Sequence, residues 1–202
     1  FERACWTTAG AYARCVDTRV EPREGCVVVT YDYQLASLDN VIVPVRYELR
    51  SDVTIRLTAT YPGAQNLPTM PCFGLEWALP SSIDRLRFYG LGPVEAYADR
   101  LAGANLGVWE LSAAQGLAHY AVPQECGFHT GVRWCDVTDA NGHGLRVQAR
   151  ANLGISLLPY SSAQIENARH WRELPEPSQR TATYLRMLSA QMGVGGDDSW
   201  GS

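Results

Sequence analysis

Cys26-Val27-Val28-Val29-Thr30-Tyr31-Asp32-Tyr33-Gln34-Leu35 is the stretch whose reading decides the fold. β-Branched and aromatic side chains dominate it, and these fit a pleated, half-buried surface better than the crowded turns of a helix. Downstream, Val41–Arg50 and residues 53–61 alternate apolar and polar positions around a short Ser51-Asp52 turn, the pattern of a hairpin. Pro62-Gly63, Pro68 and Pro71 mark a loop, after which residues 72–79 and 83–89 read as strands joined by Pro80-Ser81-Ser82.

The same signal continues to the end of the chain. Residues 106–111, 130–137, 145–149, 153–158 and 183–188 read as strands, with Asp139-Ala140-Asn141-Gly142 as a hairpin turn. Only residues 162–173 read as a helix, capped by Ser162, with Ile165, Ala168 and Trp171 on one face and Pro175 and Pro177 ending it. The expectation is an all-β chain: a large antiparallel β-sandwich with one short helix, residues 1–202 forming a single domain.

Composition excludes several classes. With 202 residues, 46% of them hydrophobic, the chain can bury a sizeable core. The net charge is -4, and the 17 basic residues, all arginine, are scattered, so neither a nucleic-acid nor a membrane surface is expected. No run of about 18 apolar residues is present, and no basic, apolar leader opens the chain. The start at Phe1, inside sequence that already reads as ordered, is that expected of a piece of a longer protein. Cys5, Cys15, Cys26, Cys72, Cys126 and Cys135 show no Cys-x-x-Cys spacing, and His119, His129, His143 and His170 are dispersed. Buried reduced thiols are expected rather than disulfides or a zinc site.

Gly193-Val194-Gly195-Gly196-Asp197-Asp198-Ser199-Trp200-Gly201 stands apart. A phosphate loop is excluded: no Lys-Ser/Thr follows the glycines, no helix pattern begins there, and Asp197-Asp198 would repel a phosphate. Read locally, it is either a glycine turn whose Trp packs into the core or a loop that presents one large aromatic face. Asp197 and Asp198 are adjacent, so in extended chain they point to opposite sides. That is unsuited to an acid and nucleophile pair, whose two carboxyl groups must converge on one bond. A local role suits them better, accepting backbone N–H bonds that hold the loop together with Ser199.

This stretch resembles the signature near the end of family 2 β-galactosidases. Phe88-Tyr89-Gly90-Leu91-Gly92-Pro93-Val94-Glu95-Ala96-Tyr97-Ala98-Asp99-Arg100 is similar to that family's Gly-x-Gly-Pro-x-Glu-x-Tyr-x-Asp-Arg. Two further blocks agree in order: Pro123-Gln124-Glu125-Cys126-Gly127 with Gly131-Val132-Arg133-Trp134, and Pro159-Tyr160-Ser161-Ser162 with Ala168-Arg169-His170. The resemblance covers residues 88–201 and is loose before that. Cys126 stands where an asparagine is usual, Gly131 where an aspartate is expected, and Ser189 where an aspartate commonly precedes the glycine loop.

What the resemblance implies is specific. The fold would be a two-layer β-supersandwich similar to galactose mutarotases, truncated at both ends. The function would be that of the non-catalytic last domain of a cytoplasmic β-galactosidase, the parent hydrolysing terminal β-D-galactosides such as lactose. Both catalytic glutamates would lie in an α/β barrel carried elsewhere on the chain or on a separate large subunit, leaving no catalytic residue here. The parent would be a homo-oligomer using Mg2+ and Na+ at sites mostly outside this domain, with no cofactor or metal held by this chain. Trp200 would reach the galactoside at the barrel mouth, with Asp197, Asp198, Ser199 and Glu125 as loop support. Asp99 and Arg100 read as an ion pair tying down the next segment. Glu125 either bonds to backbone or faces the sugar, while Tyr160 and His170 read as satisfied core or interface groups. The alternative is an independent carbohydrate-binding or mutarotase-like module, which needs a His and Glu pair in the sandwich groove.

Overall fold

A computed structural model of the chain describes residues 4–193. The chain divides into two compact units, Phe1–Met70 and Pro71–Ser202. It is all-β as expected: antiparallel strands make up most of it, and its helices are short. No helix among the described residues is long and apolar enough to cross a membrane.

The first unit opens with a short helix, α1 (Ala4–Ala11), followed by a four-stranded sheet in the order β1-β2-β3-β4. The strands are β1 (Arg14–Arg23), β2 (Cys26–Leu35), β3 (Val41–Arg50) and β4 (Ile55–Ala59). β2 and β3 match the sequence reading, and β4 is shorter than residues 53–61. Asp52 shapes the β3–β4 turn by accepting hydrogen bonds from the Thr54 amide (3.0 Å) and hydroxyl (2.5 Å). β1 escaped the sequence reading because every residue in it is exposed, so no burial alternation marks it. Its order comes from pairing with β2, reinforced by Arg19 donating from both terminal nitrogens to Asp32, at 2.7 and 3.0 Å. α1 is tied down by Trp6, whose indole N–H donates to the Pro68 carbonyl at 3.2 Å.

The second unit is a six-stranded antiparallel sheet in the order β5-β10-β9-β8-β6-β7. Its strands are β5 (Cys72–Pro80), β6 (Arg85–Gly92), β7 (Asn105–Ser112), β8 (His129–Thr138), β9 (Gly144–Leu158) and β10 (Ala182–Gln191). Register places Leu86 opposite Val137, Phe88 opposite Cys135 and Leu185 opposite Leu157, all buried. This is the period-two burial of one sheet face. Each such large apolar side chain contributes about 1.5–3 kcal/mol on full burial.

β9 runs unbroken for 15 residues where the sequence suggested two strands. Its two halves are held separately: β8 pairs with Gly144–Gln148 and again at Leu153 and Ile155 across a register shift, and β10 pairs with Gly154–Leu158. The predicted helix over 162–173 is the larger correction. α2 ends at Asn167, Ala168 is extended, and a separate 3-10 turn spans Trp171–Glu173. A tertiary bond wins here: the Trp171 indole donates to the Tyr120 carbonyl at 2.7 Å, while the Arg169 amide is taken locally by the Glu173 carboxylate at 3.0 Å. The N-cap is Ser161, in a capping box with Gln164. Ser162 instead donates from its amide and hydroxyl to Glu76 on β5, at 2.9 and 2.6 Å.

Candidate functional site

β10 alternates as any strand does, so Tyr184, Arg186 and Leu188 share the face opposite Leu185 and Met187. That second face is also covered, by the long connection between β6 and β8 that crosses it. Tyr97 and Phe128 pack with Leu188, their rings 5.5 Å apart. Cys126 packs with Leu158 and Ile165, with Leu117, Ala118, Tyr120 and Tyr160 around them. Arg186 lies on this face with its side chain only 9% exposed.

Glu125 accounts for that buried charge. Arg186 donates from Nη1 to both Glu125 oxygens, at 2.6 Å to Oε1, and the Tyr97 hydroxyl donates to Oε1 at 3.3 Å. Burial opposes the charge on Arg186, but attraction and hydrogen bonding to Glu125 outweigh it, and the guanidinium pKa is raised. Burial pushes the Tyr97 hydroxyl up as well, so it is a donor at any physiological pH.

A second carboxylate organises the same connection. Glu95 accepts from Arg100 Nη2 at 2.6 Å, from the Tyr120 hydroxyl, and from the Gly127 amide at 2.7 Å. Arg100 also donates to the Tyr120 oxygen at 3.0 Å and lies over the Tyr97 ring at 5.1 Å. Arg100 therefore pairs with Glu95 five residues earlier, not with Asp99 as the sequence suggested. A tight turn explains this: the Arg100 amide donates to the Tyr97 carbonyl at 2.9 Å, which swings the Arg100 side chain back along the connection.

The turn places Asp99 at the end of β10. A Cβ built on Gly193 would lie 2.5 Å from Asp99 Cγ and 2.6 Å from each carboxylate oxygen, and Gly193 has φ +102°. Two bonds fix this end of the strand. The Met192 amide donates to the Pro71 carbonyl at 2.9 Å, and the Gly193 amide to Gln191 Oε1 at 2.6 Å. Asp197, Asp198, Ser199 and Trp200, named above from sequence, lie outside the described residues.

His129, at the start of β8, is 2% exposed, and burial lowers its pKa to about 4. It is neutral near pH 7, with Nδ1 3.3 Å from the Leu91 carbonyl. His119 and His170 are exposed, as is the His143 side chain. His170 thus stands outside the core and occupies the N-cap position of the 3-10 turn. Tyr160 does pack against the Cys126 cluster, and its hydroxyl donates to the Pro175 carbonyl at 3.0 Å.

The three departures from the β-galactosidase pattern have local accounts. Cys126 fills an apolar pocket, and burial pushes its thiol up to about 12. Gly131 sits at φ +66° between the paired residues His129 and Val132, a bulge position that suits glycine. Ser189 is the bulged residue between Leu188 and Ala190 and donates to the Phe73 carbonyl at 3.1 Å. Among the described residues, no group of three or more His, Cys, Asp or Glu side chains is placed to hold a metal ion.

Glu125 thus holds the connection against β10, and Glu95 holds its bend. Glu95 was quoted in a sequence block but given no role, and Tyr120 and Arg186 were not singled out. Arg186 did leave a signal there, a lone cation in the apolar run Leu185-Arg186-Met187-Leu188.

Comparison with known proteins adds the wider context. A β-galactosidase named BgaC from Bifidobacterium adolescentis is 51% identical, over 99% of this chain and 19% of its own length. A β-galactosidase from Streptococcus thermophilus is 44% identical, over the whole of this chain and 20% of its own. A β-galactosidase small subunit from Latilactobacillus sakei is 37% identical, over 87% of this chain and 57% of its own. The chain thus spans about a fifth of the length of the first two relatives. The family described as beta galactosidase small chain matches residues 2–202, and this chain belongs to that family.

Proposed function

We propose that this chain is the last, non-catalytic domain of a family 2 β-galactosidase, completing the galactoside site of a catalytic barrel carried elsewhere. The observation that supports this most is one of proportion. The match runs from residue 2 to residue 202, yet accounts for about a fifth of relatives named β-galactosidase, which leaves ample length for a barrel with its own two carboxylates. The relative named as a small subunit favours a large-subunit or barrel partner. A cytoplasmic, homo-oligomeric parent hydrolysing terminal β-D-galactosides belongs to the same reading. So do any Mg2+ and Na+ ions of the parent, held by residues outside this chain.

In this reading the chain's own residues position rather than transfer protons. Glu125, Arg186 and Tyr97 fix the β6–β8 connection to β10, and Glu95, Arg100 and Tyr120 fix its bend. Trp200 then offers a flat apolar face to the C–H side of a pyranose, leaving the sugar hydroxyls to the barrel. The mutarotase-like alternative has less support. It needs an accessible His and Glu pair, whereas His129 is buried and neutral and both nearby glutamates are bonded.

The test separates the chain from its parent. The purified 202 residues should not hydrolyse a chromogenic galactoside, and joining them to the catalytic portion should restore turnover to a portion that lacks them. Turnover that scales with this chain alone, after removal of contaminating enzyme, would overturn the assignment.

A further inference from the structure

Cross-strand register sorts the β1–β4 sheet of the first unit into two unlike faces. Directly paired residues share a face, and neighbours along a strand alternate. One face carries the rows Glu21–Val28–Glu48–Arg56 and Arg19–Thr30–Arg46–Thr58. Every charged residue of the four strands lies on it, and there the charges answer one another: Arg19 pairs with Asp17 and Asp32, Arg23 with Glu21, and Arg50 with Glu48. The other face carries the rows Pro22–Val27–Leu49–Ile55 and Val20–Val29–Tyr47–Leu57, with no charge at all.

These uncharged rows reach water. Val20, Val27, Leu49 and Ile55 are 62%, 40%, 41% and 54% exposed. Farther along, the same face is buried at Val43 and Val45. Tyr31, in the row of Val45, meets Tyr47 edge-on at 5.9 Å, so the buried and exposed parts form one continuous apolar surface. An apolar sheet face four strands wide is built to be covered by another layer.

Charge and length bear on what covers it. The occupant must itself be uncharged where it lies, since a charge set against these rows would lose its water and meet no partner. A second copy added along β1 is disfavoured. That edge has a bulge between Cys15 and Asp17, alternating charges, and Pro22, which has no N–H to donate. This chain spans 57% of the small subunit from Latilactobacillus sakei, so more than two-fifths of that small chain lies outside the match.

We propose that the uncharged face of the β1–β4 sheet is the seat of an apolar layer contributed by the part of the small chain outside this sequence. The proposal rests on membership of the small-chain family and needs no galactoside site.

The experiment is cysteine footprinting with a thiol reagent, the sites being resolved from the native cysteines by peptide mass spectrometry. Val20→Cys and Ile55→Cys place a thiol on the uncharged face, and Thr58→Cys places one on the charged face. Each is made in the 202-residue chain, in the complete small chain, and in the small chain joined to the catalytic portion. In the complete small chain, Val20→Cys and Ile55→Cys should react at least about tenfold more slowly than in the 202 residues, because a covered thiol reacts only when the contact opens. Thr58→Cys should keep its rate. Equal rates in all three settings would overturn the proposal. So would slowing that needs the catalytic portion, which makes that portion the occupant, or slowing in the 202 residues that grows with concentration, which makes a second copy the occupant. Thr58→Cys slowed as much as Ile55→Cys would overturn it too. Should one variant of the uncharged face fail to fold, the other reads the same face. Turnover is no part of the readout. Protected thiols in an inactive enzyme keep this proposal and sink the galactoside reading, and reactive thiols in an active enzyme sink this proposal alone.

Discussion

The Arg186 guanidinium on β10 and the Glu125 carboxylate of the β6–β8 connection form a salt bridge that is 9% exposed on the arginine side and 24% on the glutamate side. The asymmetry predicts unequal mutants. Glu125→Ala leaves a buried cation without its counter-charge and should cost about 3–5 kcal/mol. Arg186→Met leaves a carboxylate that keeps some water and the Tyr97 hydroxyl, and should cost less. The double substitution Glu125→Leu with Arg186→Met should recover part of the loss, since an apolar pair needs no counter-charge, the remainder being the buried Tyr97 hydroxyl left without its acceptor. Urea midpoints for the three variants check this, and equal losses in the two single mutants would contradict it.

His129 predicts an acid sensitivity with a definite sign. Its folded pKa of about 4 lies below the ordinary 6.5, so between those values the unfolded chain binds a proton that the folded chain does not. The stability it contributes is complete above pH 6.5 and is lost as pH falls toward 4. At about 1.36 kcal/mol per pH unit, the gap amounts to about 3 kcal/mol. Unfolding free energies from urea titrations at pH 7 and pH 4.5 should differ by most of that amount. His129→Phe, whose ring can still pack against Phe88, should flatten the slope. A slope unchanged by the substitution would contradict the assignment.

The cysteines should separate by burial. All six are thiols in the structure, so counting under denaturing, non-reducing conditions should return six. Under native conditions Cys15, exposed on β1, should react first. Cys126 and Cys135, buried and pushed up to about 12, should be the slowest. Recovery of four or fewer thiols would indicate disulfides and contradict the reduced state.

Most of the fold is legible in the sequence because burial writes a period of two into it. β5 and β6 carry that alternation in plain view, while β2 shows itself by its β-branched and aromatic content instead. β1 carries none, since Arg14, Asp17, Arg19, Glu21 and Arg23 all face water and only cross-strand pairing orders them. The helix over 162–173 was over-read because Ile165, Ala168 and Trp171 keep helical spacing, while the Trp171 indole answers to Tyr120, 51 residues away. The site divides the same way. Glu125 stood out in a sequence block, but its partner Arg186 is 61 residues distant, and no local pattern pairs them. The contact of Asp99 with Gly193 spans a still longer stretch of chain and is visible only in three dimensions.

We propose that Trp200 completes a galactoside site while taking no part in proton transfer. If stacking hides about 80 Å² of apolar surface, at about 25 cal/mol per Å² the contact contributes roughly 2 kcal/mol, or about thirtyfold in affinity. The most direct measurement is the inhibition constant of a galactoside inhibitor for Trp200→Leu in the complete enzyme, taken beside its melting temperature. Affinity should fall by about one to two orders of magnitude with the melting temperature nearly unchanged. A large fall in melting temperature with affinity intact would mark Trp200 as a core residue and contradict the account.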